Sequence, residues 1–178
     1  TSSFGRSVQP VDRVAENITV ITKEDITRLQ ARTLDQLLRF YPGVIPYASQ
    51  FPSGFSIPMV QGLPNRQCLV TVDGIPMNSL TEGTIDLSIV PLGNLERVEI
   101  IKGPTASLWG RSVGASINLV SKDPFTDKPL SGNLDGSVGI NQTNAGDASI
   151  SGTYEPSGTG YLFAATAGST SGFERNIF

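Results

Sequence analysis

Residues 86–110 read DLSIVPLGNLERVEIIKGPTASLWG, and residues 114–122 follow as GASINLVSK. Arg97 to Ile101 alternates as a strand, with Val98 and Ile100 on one face and Glu99 on the other. Lys102-Gly103-Pro104 breaks that strand, because proline brings no N–H to a ladder and restricts the residue before it. From Ser112 to Lys122 the β pattern resumes, Ile117, Leu119 and Ser121 opposing Asn118 and Val120.

Upstream, Leu69 to Val72 is a short β-like run, and Asp73-Gly74 suits a hairpin returning through Ile75 to Met77. Asn78 to Thr84 is a polar loop, and Leu87 to Leu92 is apolar with Pro91 inside it. Val44 to Pro64 carries Pro46, Pro52, Pro58 and Pro64 and reads as loop, with exposed-looking aromatics at Tyr47, Phe51 and Phe55. Earlier still, two short helices or one bent one span about Glu24 to Phe40. Thr22-Lys23-Glu24-Asp25 resembles a capping box with Asp25 where Glu or Gln is usual, and Thr33-Leu34-Asp35-Gln36 fits that pattern again. Leu34, Leu37 and Leu38 make the apolar stripe, and Pro42-Gly43 ends it. Ile18 to Thr22 reads as a short strand before the first helix.

After Asp123-Pro124 the character changes. Leu130, Gly132, Leu134, Gly136, Val138 and Ile140 alternate with Ser131, Asn133, Asp135, Ser137, Gly139 and Asn141. Asn144-Ala145-Gly146 reads as a turn, Ala148 to Tyr154 as a second alternating strand, Pro156-Ser157-Gly158 as another turn, and Tyr161 to Thr170 as a third strand. A soluble antiparallel sheet with one wet face gives such alternation. So does an outer-membrane barrel, whose strands of about 9–11 residues face lipid on one side and a polar lumen on the other.

Composition narrows the function. The 178 residues hold 13 basic and 16 acidic side chains, a net charge of −3, so no basic face for nucleic acid is visible. There is no His, which removes Ser-His and Cys-His nucleophile pairs, His-ligated zinc and a His general base. The one Cys, Cys68, excludes an intramolecular disulfide and any Cys-rich metal cluster, and reads as a small buried hydrophobe. With 19 Gly and 12 Pro the chain is turn-rich, so coiled coils and long bundles are poor fits. No apolar run is long enough for a transmembrane helix, and no leader is visible at Thr1.

Other constellations are weak. Residues 102–110 lack the Walker spacing of Gly, four residues, then Gly-Lys-Ser/Thr. Glu96, Glu99, Asp73, Glu82 and Asp86 could pair for acid–base work, but nothing in their spacing joins two of them, and solvated or ion-paired roles fit better. Asn17-Ile18-Thr19 and Asn141-Gln142-Thr143 match a glycosylation sequon, a pattern of little specificity. Trp109 reads as packing.

The ordered segments resemble the plug domain of TonB-dependent outer-membrane receptors. ITKEDI and TLDQLLRFYPGV are similar to the family's opening, and Met59-Val60-Gln61-Gly62 stands where Ile-Arg-Gly is common. LVTVDGIPMN resembles its Asp-Gly hairpin, and residues 86–110 with 114–122 are the most specific match. The likeness covers about Val11 to Lys122. It implies an α+β plug, a small mixed sheet with short helices, over residues 1–124, then antiparallel strands of an incomplete transmembrane β-barrel over 125–178. In this family the plug sits inside a 22-stranded barrel.

What the resemblance implies for function is transport, not catalysis, in the bacterial outer membrane: uptake of a scarce nutrient, a ferric siderophore being the expected cargo. No cofactor, resident metal or nucleic acid is implied. The partners are TonB, the nutrient chelate, the chain's own barrel and outer-membrane lipid. The TonB box is expected upstream of Thr1, with Ser7-Val8-Gln9-Pro10-Val11 the one remnant candidate. Tyr47, Phe51, Phe55, Asn78 and Thr81 are the expected ligand-facing loop residues. Gln61 and Lys102 stand where the family has arginines that pair with barrel glutamates. Lys is only a point charge and Gln carries none, so the plug–barrel contacts are expected to be weaker, or made by Arg66, Arg97 or Arg111. Taken alone, with about three strands, the chain is expected to transport nothing, because an open sheet edge has no place in hydrocarbon. The rival from another class is a soluble α/β carbohydrate- or peptide-binding module with an antiparallel sheet; a hydrolase is disfavoured by the missing His.

Overall fold

The strand expected around Val98 forms, and it lies inside the first sheet rather than at its edge. The computed structural model describes residues 17–48, 55–60, 68–102, 114–123, 130–139, 144–154 and 159–169. Contacts divide the chain into two compact units, Thr1–Ser121 and Lys122–Phe178. In the first unit β1 (Asn17–Thr22) leads into α1 (Lys23–Leu29) and α2 (Leu34–Leu38). Next come β2 (Val44–Ala48), β3 (Ser56–Val60), β4 (Cys68–Val72), β5 (Ile75–Pro76), a 3-10 turn at Leu87–Ile89, β6 (Leu95–Lys102) and β7 (Ala115–Ser121). Five of these strands form one mixed sheet in the order β1-β6-β7-β4-β5, antiparallel except for the parallel β4–β7 pair.

Local chemistry explains the turns. At the start of α1, Thr22 Oγ1 accepts from the Asp25 N–H and Asp25 Oδ2 accepts from the Thr22 N–H, both at 3.3 Å, so the capping box forms with Asp in the Glu position. The second predicted box does not form. Thr33 Oγ1 donates to the Asp35 carboxylate instead, and Gln36 Oε1 accepts from the Arg32 N–H at 3.0 Å. The Thr33 hydroxyl is thus held by the carboxylate two residues on, and its side chain caps none of the helix's first N–H groups. Past α2 the chain turns at Gly43 (φ +99°), and at Asp73 and Gly74 (φ +48° and +83°) it makes the tight hairpin that the Asp-Gly pair predicts.

One segment read as loop is sheet. β2 and β3 form an antiparallel ribbon with Pro46 opposite Pro58. Two prolines can face one another at a non-hydrogen-bonded pair, where neither residue offers its N–H to the partner strand. Prolines that look like breakers one at a time are thus compatible with a two-stranded ribbon. Ser56, Pro58 and Val60 of β3 point into the protein.

The core packs one face of the sheet, Ile21, Val98, Ile100, Ile117, Leu119 and Val70, against Ile26, Leu34, Leu37, Leu38 and Leu87. The other face is buried too, and it carries a polar row beside Ile101 and Leu69: Glu99, Asn118 and Thr71 lie side by side on β6, β7 and β4. Thr71 Oγ1 donates to Asn118 Oδ1 at 2.8 Å, and Arg97 Nε donates to Glu99 Oε1 at 2.8 Å. Glu99 is therefore ion-paired and wholly inaccessible rather than solvated.

The second unit is an antiparallel meander of β8 (Ser131–Val138), β9 (Asn144–Tyr154) and β10 (Thr159–Ser169), in the order β10-β9-β8. Asn144 to Gly146, read as a turn, are strand residues pairing with Val138, Ser137 and Gly136. Turn-prone residue types do not override a ladder once register gives them partners. The predicted turn at Pro156-Ser157-Gly158 lies outside the described residues. Leu134, Val138, Ile150 and Phe163 are exposed, and the alternation places them on one face. The opposite face carries Asn133, Asp135, Ser149, Asp147 and Thr166; Thr166 donates to Asp147 at 2.7 Å and Asn133 to Asp135.

Candidate functional site

The expected ligand-facing residues sit on the β2–β3 ribbon and on the loop after β5. Tyr47 is not in a loop: it is a strand residue one place from the end of β2, opposite Ile57, with 51% of its surface exposed. Phe55 immediately precedes β3 and is half-buried. Phe51 lies outside the described residues.

The loop from Asn78 to Asp86 is built by its own hydrogen bonds. Ser79 N–H donates to Thr84 O at 2.7 Å and Gly83 N–H to Ser79 O at 2.8 Å. The Ser79 and Thr81 hydroxyls pair at 3.0 Å. Asn78 anchors this loop to β4: its Oδ1 accepts from the Val70 N–H at 2.8 Å, and its Nδ2 donates to Cys68 O at 2.9 Å and Gly83 O at 3.0 Å. That amide is committed to backbone, so the loop's exposed side chains lie at its tip. Thr81 is exposed there, and so are two residues that sequence reasoning missed, Leu80 at 96% and Glu82. The loop's closing bonds carry no sequence signal beyond Ser79, Gly83 and Thr84 being turn-formers.

Asp86 closes the other end of the loop. Its Oδ1 accepts from the Ser88 N–H at 3.0 Å, from the Ser88 hydroxyl at 2.7 Å, and across 30 residues from the Ser56 N–H at 2.9 Å. Asp73 makes a similar clamp at the hairpin, accepting from the Ser121 N–H at 2.9 Å and the Ser121 hydroxyl at 2.6 Å. Backbone clamping is thus a third role for carboxylates that the sequence left as solvated or ion-paired. Among the described residues no three His, Cys, Asp or Glu side chains converge as a metal site.

Of the expected plug–barrel contacts, Gln61, Arg66 and Arg111 lie outside the described residues, as do Trp109 and the stretch Ser7 to Val11. Lys102 ends β6, opposite Asn17 and Ala115. Its side chain rests on Gly43: a Cβ there would meet Lys102 Cε at 2.8 Å and Nζ at 3.1 Å. Arg97, 20% exposed, is held by Glu99 at 2.8 Å and Glu96 at 3.5 Å within its own strand. An open groove of about 730 Å³ runs along Leu38 to Pro46. Burial pushes the Cys68 thiol up to about 12, so it stays protonated and inert. Desolvation, and then the Asp25 carboxylate, raise the Tyr41 hydroxyl above its ordinary value.

Comparison with known proteins returns one consistent likeness. The sequence profile of the TonB-dependent Receptor Plug Domain matches residues 10–116. The vitamin B12 transporter BtuB of Photobacterium profundum is 34% identical over 117 residues, covering 65% of this chain and 19% of the transporter. BtuB of Vibrio cholerae is 33% identical over 118 residues, covering 66% and 19%. The alcaligin outer-membrane receptor FauA of Bordetella pertussis superposes with a TM-score of 0.78 at 19% identity, over 96% of this chain and 29% of that one. The ferric-catecholate import receptor Fiu of E. coli K12 gives 0.72 at 24% identity, over 91% and 22%. The chain thus spans about a fifth of the length of the sequence relatives it matches.

Proposed function

The chain belongs to the TonB-dependent receptor plug family, whose members are bacterial outer-membrane proteins, and from that premise we propose that it serves the active uptake of a scarce metal chelate. Residues 1–124 act as the plug and residues 125–178 as the first strands of the barrel. The observation that carries this reading is the mixed five-stranded sheet lying largely within the stretch the plug profile matches, followed by strands with one apolar and one polar face. That second pattern suits a wall between lipid and a wet lumen. The soluble binding module explains neither the family match nor an exposed apolar sheet face.

The role is binding and transport, energised through TonB, with no chemistry performed on the cargo. Tyr47, Phe51, Phe55 and the loop tip at Leu80, Thr81 and Glu82 form the nutrient-facing surface. Aromatic rings there bury large area at small entropy cost. In this reading Lys102 supplies a plug–barrel contact, together with Gln61, Arg66 and Arg111. A ferric siderophore is the first reading of the cargo. Cobalamin is the second, favoured by the 33–34% identity to proteins named as vitamin B12 transporters. Growth of a deletion strain on single iron sources, and on cobalamin under a cobalamin requirement, tests both. Loss of growth on one ferric chelate supports the first, loss on cobalamin alone the second. Unimpaired growth on every member, together with no uptake of radiolabelled chelates, refutes the transport role.

A further inference from the structure

We propose that Asp86 is a positioning residue that sets the placement of the 78–86 loop against the start of β3, and so the spacing between Thr81 and Phe55. The inference rests on the reading that these residues face the nutrient. The loop holds its own shape through the Ser79–Thr84 and Gly83–Ser79 backbone bonds, and Asn78 fastens it to β4. Neither of these ties reaches the β2–β3 ribbon. Asp86 does, through the Ser56 N–H at 2.9 Å. Ser56 itself is 1% exposed, and the same carboxylate oxygen holds the Ser88 N–H and hydroxyl. A charged acceptor with several backbone donors is a strong, directional clamp. Removing it leaves the loop's internal bonds and the packing of Ile85 and Leu87 in place but takes away the bond to Ser56, next to Phe55. A pre-organised pair of contacts binds more tightly than one ordered only on binding, because the ordering entropy is already met.

Asp86→Ala and Asp86→Asn in the intact receptor test this, with Asp73→Ala as the control. The control removes a comparable clamp, on Ser121, at the hairpin. The probes are cyanocobalamin and a ferric catecholate, measured by equilibrium binding. Asp86→Ala is expected to weaken binding about tenfold. Asp86→Asn, whose amide oxygen still accepts from Ser56, should stay within about threefold, and Asp73→Ala within about twofold. Amide exchange is the readout that needs no ligand. Asp86→Ala should speed exchange at Ser56 while Ser79 and Gly83 keep their protection. Equal binding losses in Asp86→Ala and Asp73→Ala, failure of Asp86→Asn to rescue, or unchanged exchange at Ser56 would overturn the proposal. If Phe55→Ala and Thr81→Ala leave binding unchanged, the nutrient-facing reading fails instead, whatever exchange at Ser56 shows.

Discussion

Removing Arg97 should be a damaging change on β6, and the structure says why. Glu99 has no accessible surface, and Arg97 Nε lies 2.8 Å from its Oε1. Arg97 also reaches Glu96 at 3.5 Å, but that side chain is half-exposed; an exposed pair of that kind contributes about 0–1 kcal/mol. The loss is therefore concentrated at Glu99. Deleting one partner of a buried ion pair costs up to about 3–5 kcal/mol. Against a typical total of about 5–15 kcal/mol, that would open the sheet locally. Glu99→Gln should cost less, about 1–3 kcal/mol, because Arg97 is one-fifth exposed and keeps Glu96. The double change Arg97→Met with Glu99→Leu should be milder than Arg97→Ala, since no charge is left buried. Native-state amide exchange at Val98, Ile100 and Ile117 in the detergent-solubilised receptor reads these opening energies directly. A loss below about 1 kcal/mol in Arg97→Ala, or a larger loss in Glu99→Gln, would refute the reasoning.

Three other outcomes follow from particular contacts. Asn78→Ala strands the Val70 N–H and the Cys68 carbonyl and should cost about 2–3 kcal/mol, with exchange at Gly83 accelerated in the same variant. Gly43→Ala should cost about 1–2 kcal/mol from its φ of +99°; adding Lys102→Ala should not recover it, because the Lys102 tail can swing aside, and full recovery would show that the contact rather than the backbone was the cause. Cys68 should resist alkylation in the folded protein up to about pH 9. Its thiol titrates near 12, so the reactive thiolate is scarce well below that pH and reaction should appear only when β4 opens; modification at the rate of an exposed thiol would contradict its burial.

Where neighbours in sequence are also neighbours in space, the fold was legible. Thr22 and Asp25 cap their own helix, Asp73-Gly74 turns its own hairpin, and Val98 and Ile100 alternate into the core. The misreadings came where long-range pairing overrode residue type. Pro46 and Pro58 read as breakers until each stands opposite the other. Asn144, Ala145 and Gly146 read as a turn until Val138, Ser137 and Gly136 pair with them. Glu99, read as solvated or ion-paired, is ion-paired, because on a sheet buried on both faces period-2 alternation separates two interiors rather than inside from outside.

The same distinction governs the candidate site. Its exposed members, Tyr47 and Thr81, can be guessed from residue type and a polar or proline-rich setting. The side chains that arrange them cannot, because their partners are chosen by topology. Asn78 joins a loop to a strand eight to ten residues earlier, Asp86 reaches back 30 residues, and Asp73 reaches forward 48. Each of these polar residues sits in a turn-rich stretch where type alone suggests solvent. Once β4 pairs with β7 and the 3-10 turn packs on β3, all three accept from main-chain N–H groups. A buried N–H left unpaired costs about 1–3 kcal/mol, so the clamps follow from satisfying the backbone at strand ends. The proposed nutrient-facing surface thus rests on loops whose bases are pinned by these bonds.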